Sequence, residues 1–222
     1  MTWFRCGGSN KPDEYIYNIG PCAFNTGYIP KITTKIIFKA IPTLYAFNST
    51  SSYNTMFGYS PNGDGNKYKR ICFYSSRSNN YPTLRRGGTE VSGANPWTVS
   101  SDNYLWLNQP TIFTIDGLTA SWYREVDPST VNSVTISEGT LEDGTSSIAL
   151  FAANYNTGTG FSYTDYGNML LYYFDIYEGT TLLHHFVPAY YDSKYCLYDE
   201  IDQVYINDVA YSGTYVKGFI LS

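Results

Sequence analysis

The chain carries little charge for its length: 14 Lys and Arg and 19 Asp and Glu among 222 residues, a net charge of −5. No basic field exists that could condense onto a phosphate backbone, so nucleic acid is not an expected partner. No apolar run approaches the roughly 20 residues that span a bilayer, and no membrane partner is expected. The opening, Met1 to Asn10, lacks the apolar core of a signal peptide. Export is therefore expected by lysis, within a particle, or after a leader has been removed. Cysteine is sparse and scattered: Cys6, Cys22, Cys72 and Cys196 form no CxxC pair, which argues against a zinc knuckle or a redox motif. Cys72 and Cys196 sit in apolar runs, where a thiol behaves as a small hydrophobe, and a core of this size needs no staples; reduced thiols are favoured over two disulfides. Helical periodicity is nowhere sustained.

What the chain has in abundance is aromatic residues: 24 Tyr, 12 Phe and 4 Trp. Tyrosine joins an apolar ring to a polar tip and suits pleated, half-buried surfaces, so the composition points to strands and to contact surfaces. From Ile32 to Ala40 the pattern alternates, with Ile32, Thr34, Ile36, Phe38 and Ala40 on one face. Thr111 to Ile115 and Leu118 to Tyr123 flank Asp116-Gly117, whose tolerance of positive φ predicts a type I′ hairpin turn. Further strands are expected at Leu44 to Phe47, Thr55 to Tyr59, Tyr68 to Tyr74, Val131 to Ile136, Ser147 to Ala153, Met169 to Tyr177, Leu182 to Val187, Gln203 to Ile206 and Tyr215 to Leu221. Within this set, Ile148 to Ala153 and Met169 to Phe174 are continuous apolar runs, expected as central strands covered on both faces. Tyr74 to Asn108 is irregular and reads as a long connection with one short strand at most. Many short strands with regular turns make an all-β sandwich or barrel the expected fold.

Several segments resemble the concanavalin A-like lectin/glucanase superfamily in its laminin-G-like branch. They are Asn25 to Pro30, Met56-Phe57-Gly58, Leu150 to Asn154 and, most of all, Leu171 to Asp199, which ends on Cys196-Leu197-Tyr198-Asp199. The resemblance covers residues 13–222 and implies one two-sheet antiparallel jelly-roll sandwich. It also looks like modules found in gut bacteria and their phages. Residues 1–12, with Trp3 and Phe4 before Gly7-Gly8, read as a docking arm outside the sandwich, the two rings serving as interface anchors.

The chemistry expected on such a fold is binding. Glycosidases need two carboxylates about 5 Å apart. The nearest echo, Glu200 and Asp202, puts two acids on one strand face but lacks the rest of the pattern, and a solvated loop is the plainer reading. Neighbours on a strand point to opposite faces, so His184 and His185 cannot close on one ion together, and a structural role is favoured for both. Asp64, Asp143 and Asp165 lie in Gly- and Asn-rich turns that could hold calcium, but turn-capping Asp is commoner. No catalytic residue, metal ligand set or cofactor is expected. The candidate ligand-binding residues are Asn95, Trp97 and Trp106 in one loop, and Tyr155, Asn156, Tyr163, Asp165 and Tyr166 in another. Both loops mix flat rings with Asn and Asp, as adaptable contact loops do; for Tyr163 and Tyr166, packing under their own loop is the competing reading. Together with the leaderless start and the arm, the resemblance implies a non-catalytic phage virion protein, a fibre, decoration or receptor-contacting module. It would be homo-oligomeric, dock on other virion proteins and contact cell-surface glycans. The alternative is a bacterial surface or secreted lectin.

Overall fold

The computed structural model describes residues 15–18, 22–42, 53–61, 64–76, 82–92, 109–137, 139–155, 163–164, 166–167, 169–207 and 216–219. In chain order the strands begin with β1 (Tyr15–Asn18), β2 (Phe24–Asn25), β3 (Thr34–Pro42), β4 (Tyr53–Tyr59), β5 (Ile71–Ser76), β6 (Pro82–Arg86) and β7 (Thr89–Ser92). They continue with β8 (Thr111–Asp116), β9 (Thr119–Arg124), β10 (Asp127–Thr135), β11 (Ala149–Leu150), β12 (Ala153–Asn154) and β13 (Tyr163–Thr164). The last are β14 (Met169–Glu178), β15 (Thr181–Tyr191), β16 (Lys194–Asp199), β17 (Val204–Ile206) and β18 (Val216–Phe219). A 3-10 helix, Asp64–Lys69, precedes β5, and among the described residues no helix is long and apolar enough to cross a membrane.

The fold is all-β, built as two large and mainly antiparallel sheets packed face to face. One runs β10-β9-β8-β3-β14-β15-β16-β17, with β1 and β18 joined beside β14; the other runs β13-β12-β4-β5-β6-β7, with β11 and β2 joined beside β4. Among the described residues, the exceptions to antiparallel pairing are β12 on β4 and a bridge between Thr55 and Tyr166. Side-chain alternation decides which residues enter the core. In β3, Thr34, Ile36, Phe38 and Ala40 are buried, as the alternation predicts, while Ile32 lies before the strand and is exposed. Phe38 sits at the centre, with Phe113 and Phe174 beside it in its own sheet and Phe57 and Phe73 facing it from the other. One apolar cluster thus joins both sheets.

Several expectations need local correction. In the β8–β9 hairpin Asp116 pairs with Thr119, so the turn residues are Gly117 and Leu118, one position later than the sequence suggests. Only Gly117 has positive φ, +55°, which fits a type II′ turn with glycine first, not type I′. The stretch read as a long connection contains a full hairpin, β6–β7, because Gly87 and Gly88, at φ +60° and +85°, supply the two left-handed residues that a type I′ turn needs. The run Ile148 to Ala153 is buried throughout, as expected of a central segment, but it is two short strands rather than one. Phe151 at φ 63° turns the chain, so β11 meets β4 antiparallel and β12 meets it parallel. The first residues of the strand expected from Tyr68 belong to the 3-10 helix, and the strand starts at Ile71. Leu44 to Phe47 and the arm, with Trp3 and Phe4, lie outside the described residues. Cys22, Cys72 and Cys196 are buried thiols.

Arg86 ties the two sheets at one end. It is buried at the end of β6, and its Nη2 donates to the carbonyls of Lys31 and Ile32, at 3.3 and 3.2 Å, in the segment that leads into β3. Burial pulls its guanidinium down to about 10, still charged at neutral pH.

Candidate functional site

The sheet register assembles a site on β14–β17 that no single segment displays. Asp175 pairs directly with His185, and Ile176 with His184. Because Ile176 is core, His184 points toward the other sheet and His185 points away from it. The same parity carries outward: Val187 pairs with Tyr198, Tyr198 with Tyr205, and Tyr191 with Lys194. His185, Val187, Tyr191, Tyr198 and Tyr205 therefore belong to one outer face.

On that face the rings form a continuous row. Tyr191 stacks on Tyr205 with centroids 4.2 Å apart and planes 9° from parallel, and Tyr198 lies 4.8 Å from Tyr205. Tyr173 extends the aromatic surface to His185, 6.0 Å away. Tyr191 is 52% exposed and stands at the tip of the β15–β16 hairpin, where Asp192 and Ser193 take positive φ in the turn. Polar groups share the face. His185 Nδ1 lies 2.5 Å from Asp175 Oδ1, and Nε2 lies 3.9 Å from the exposed Glu200. A carboxylate accepts only, so the Nδ1 proton is held toward Asp175 and Nε2 faces the open side. The Asp175 hydrogen bond raises the His185 pKa, with burial opposing it. Tyr173 is pushed up to about 12, chiefly by burial.

On the inner side of β15 lies a second polar cluster. His184 Nδ1 is 2.7 Å from Asp199 Oδ2 and 3.5 Å from Asp202 Oδ2. Asp199 is almost wholly enclosed, and its Oδ1 accepts the backbone N–H groups of His185 and Ile201, both at 3.1 Å. The His184 ring stacks on Phe186 and meets the edge of Tyr28. Tyr28 in turn donates to Glu178 at 2.9 Å, while Lys31 pairs with the same Glu178 oxygen at 2.8 Å. Burial pushes the Tyr28 phenol up to about 12.

The facing ligand atoms of His184, Asp199 and Asp202 lie within 4.8 Å of one another, close to the carboxylate spacing of about 5–5.5 Å in retaining glycosidases. Exposure separates the two cases. A glycosidase nucleophile must reach an anomeric carbon, whereas Asp199 is spent on three internal hydrogen bonds. Glu200 and Asp202 lie in the turn between β16 and β17, not on a strand face.

The residues singled out from sequence fall mostly elsewhere. Asn95, Trp97, Trp106, Asn156 and Asp165 lie outside the described residues. Tyr163 is in β13, whose backbone pairs with Asn154. Tyr155 is half-buried against the cluster of Cys72, Tyr74 and Ala153. Tyr166 is only 7% exposed and packs with Ala23 and Ala152, both outside that loop. Asp64 opens the 3-10 helix, and Asp143 Oδ1 accepts the Ile32 N–H at 2.8 Å. The tyrosine row was not visible in the sequence. Tyr191, Tyr198 and Tyr205 recur every seven residues, an odd spacing that one strand would put on alternating faces, and only the hairpin turns bring them together.

No protein-family model matches the chain, and no curated protein matches it significantly.

Proposed function

We propose that this protein is a non-catalytic binding module of a phage virion, a fibre, decoration or receptor-contacting sandwich, and that it engages host glycans. The observation that carries the reading is the stacked row of Tyr191, Tyr198 and Tyr205 on the outer face of β15–β17. Sugar rings offer apolar C–H faces bordered by hydroxyls, so a site for them joins flat aromatic surfaces to a few fixed polar groups. Here the same face carries His185, oriented by Asp175, with Glu200, in the turn after β16, 3.9 Å from its Nε2. The virion assignment itself rests on the family resemblance, which also implies the jelly-roll topology.

A glycan array probed with the wild-type protein and with Tyr205→Ala tests the binding. Tyr205 holds two ring contacts at the centre of the row, so its loss is expected to weaken glycan binding by about tenfold or more, as for a central aromatic anchor. Unchanged near-ultraviolet circular dichroism would show that the variant is folded. Equal glycan affinity in both proteins, or no binding by the wild type to any host capsule or cell-wall glycan, would refute the site. Mass spectrometry of purified particles separates a virion protein from a secreted lectin.

A further inference from the structure

We propose that His184, Asp199 and Asp202 form a zinc site on the inner side of β15. Nothing in the binding role of the tyrosine row requires it, and the two stand or fall separately. The donor set is one imidazole nitrogen and two carboxylate oxygens, each from a different part of the chain: β15, the end of β16 and the following turn. Zinc takes three protein ligands of this mixed kind and leaves a fourth position to water. An imidazole donor counts against calcium and magnesium, which bind through oxygen.

Geometry agrees with the size of the ion. Bonds of about 2.1 Å at tetrahedral angles place neighbouring ligand atoms about 3.4 Å apart. Here His184 Nδ1 stands 3.5 Å from Asp202 Oδ2 and 2.7 Å from Asp199 Oδ2, and all three atoms fit within 4.8 Å. Side-chain shifts of under about 1 Å would close them on one ion. Zinc then takes the place of the Nδ1 proton, which leaves to solvent.

Charge supplies the second argument. The Asp199 side chain is only 2% exposed, and a buried carboxylate is costly without a compensating cation. Among the described residues, the ion-pair contacts of Asp199 and Asp202 run to His184 alone, while the nearby Lys31 is engaged by Glu178. Two carboxylates converging on one imidazole lack positive charge, and a divalent ion provides it. The ion would also fasten β15 to the turn that leads into β17.

Tag-free full-length protein, stripped with chelator and dialysed against zinc, tests this. One equivalent of zinc is expected to remain, and cobalt in its place is expected to give the strong visible absorption of a tetrahedral site. Asp202→Asn alters an exposed side chain and should fold normally. Loss of outer partners alone weakens metal sites by about 10–100-fold. Replacing a direct ligand is therefore expected to weaken zinc by about a hundredfold or more in Asp202→Asn and in His184→Gln. Asp127→Asn, at the opposite edge of the same sheet, should bind as the wild type does. Zinc should raise the melting temperature of the wild type and leave that of Asp202→Asn unchanged. Retention below about a tenth of an equivalent, zinc binding that survives both ligand substitutions, or calcium bound as tightly as zinc would overturn the proposal.

Discussion

Phe38→Ala is expected to cost about 3–5 kcal/mol of folding stability, the range for removing a large aromatic side chain from a core that cannot collapse around the gap. Phe38 has no exposed surface, and its ring lies 4.8 Å from Phe113, 5.6 Å from both Phe57 and Phe174, and 6.0 Å from Phe73. Phe57 and Phe73 belong to the opposite sheet, so the substitution removes contacts across the sandwich as well as along β3 and its neighbours. Two backbone ladders, β3 with β8 and β3 with β14, hold the strand in place and prevent it from moving inward to fill the cavity. Urea unfolding followed by tryptophan fluorescence measures the change: the midpoint should fall while the slope stays constant. Phe38→Leu, which keeps most of the volume, should cost clearly less. A loss below about 1 kcal/mol for the alanine variant would show that the five rings do not form the central packing unit.

The contrast between Phe38 and the tyrosine row shows what the sequence could and could not reveal. Phe38 was legible because burial in a strand leaves a local trace: polar and apolar residues alternate, and the buried parity names the core. Alternation located β3, the Asp116-Gly117 turn signal located β8 and β9, and an unbroken apolar run located β14, each to within a few residues. Such local signals failed where backbone conformation broke the period, as at Phe151, and where adjacent glycines made a hairpin out of an apparently irregular stretch. The candidate site was barely legible, for a different reason. Tyr191, Tyr198 and Tyr205 face one another only through the pairing of β15 with β16 and β16 with β17, and register is a long-range property. The separation of His184 from His185 onto opposite faces did follow from strand geometry. Their carboxylate partners, Asp199 and Asp175, lie 15 and 10 residues away and could be assigned only once the strands were paired.

Asp199 is where fold and site meet, and Asp199→Ala is expected to cost about 2–4 kcal/mol when measured with zinc removed by chelator. Its Oδ1 accepts two backbone N–H groups, from His185 on β15 and Ile201 in the turn, and its Oδ2 holds the His184 ring. Alanine leaves all three donors without their acceptor in a site that water reaches poorly. Each buried unsatisfied donor costs about 1–3 kcal/mol; the turn is exposed at Ile201 and Asp202 and can relax, which keeps the sum below three full penalties. Asp199→Asn should cost less, because its oxygen can still serve both backbone donors while its NH2 group obliges His184 to present an unprotonated Nδ1. Hydrogen exchange gives a local check: the amides of His185 and Ile201 should lose protection in the alanine variant while those of β3 and β8 keep theirs relative to the global stability. The effect should extend to ligand binding without any direct contact, since the turn after Asp199 sets where β17 carries Tyr205 against Tyr198. If Asp199→Ala leaves stability within about 1 kcal/mol and Ile201 protection intact, the carboxylate is not the clamp on this turn, and Tyr205 must be positioned by the β16–β17 ladder alone.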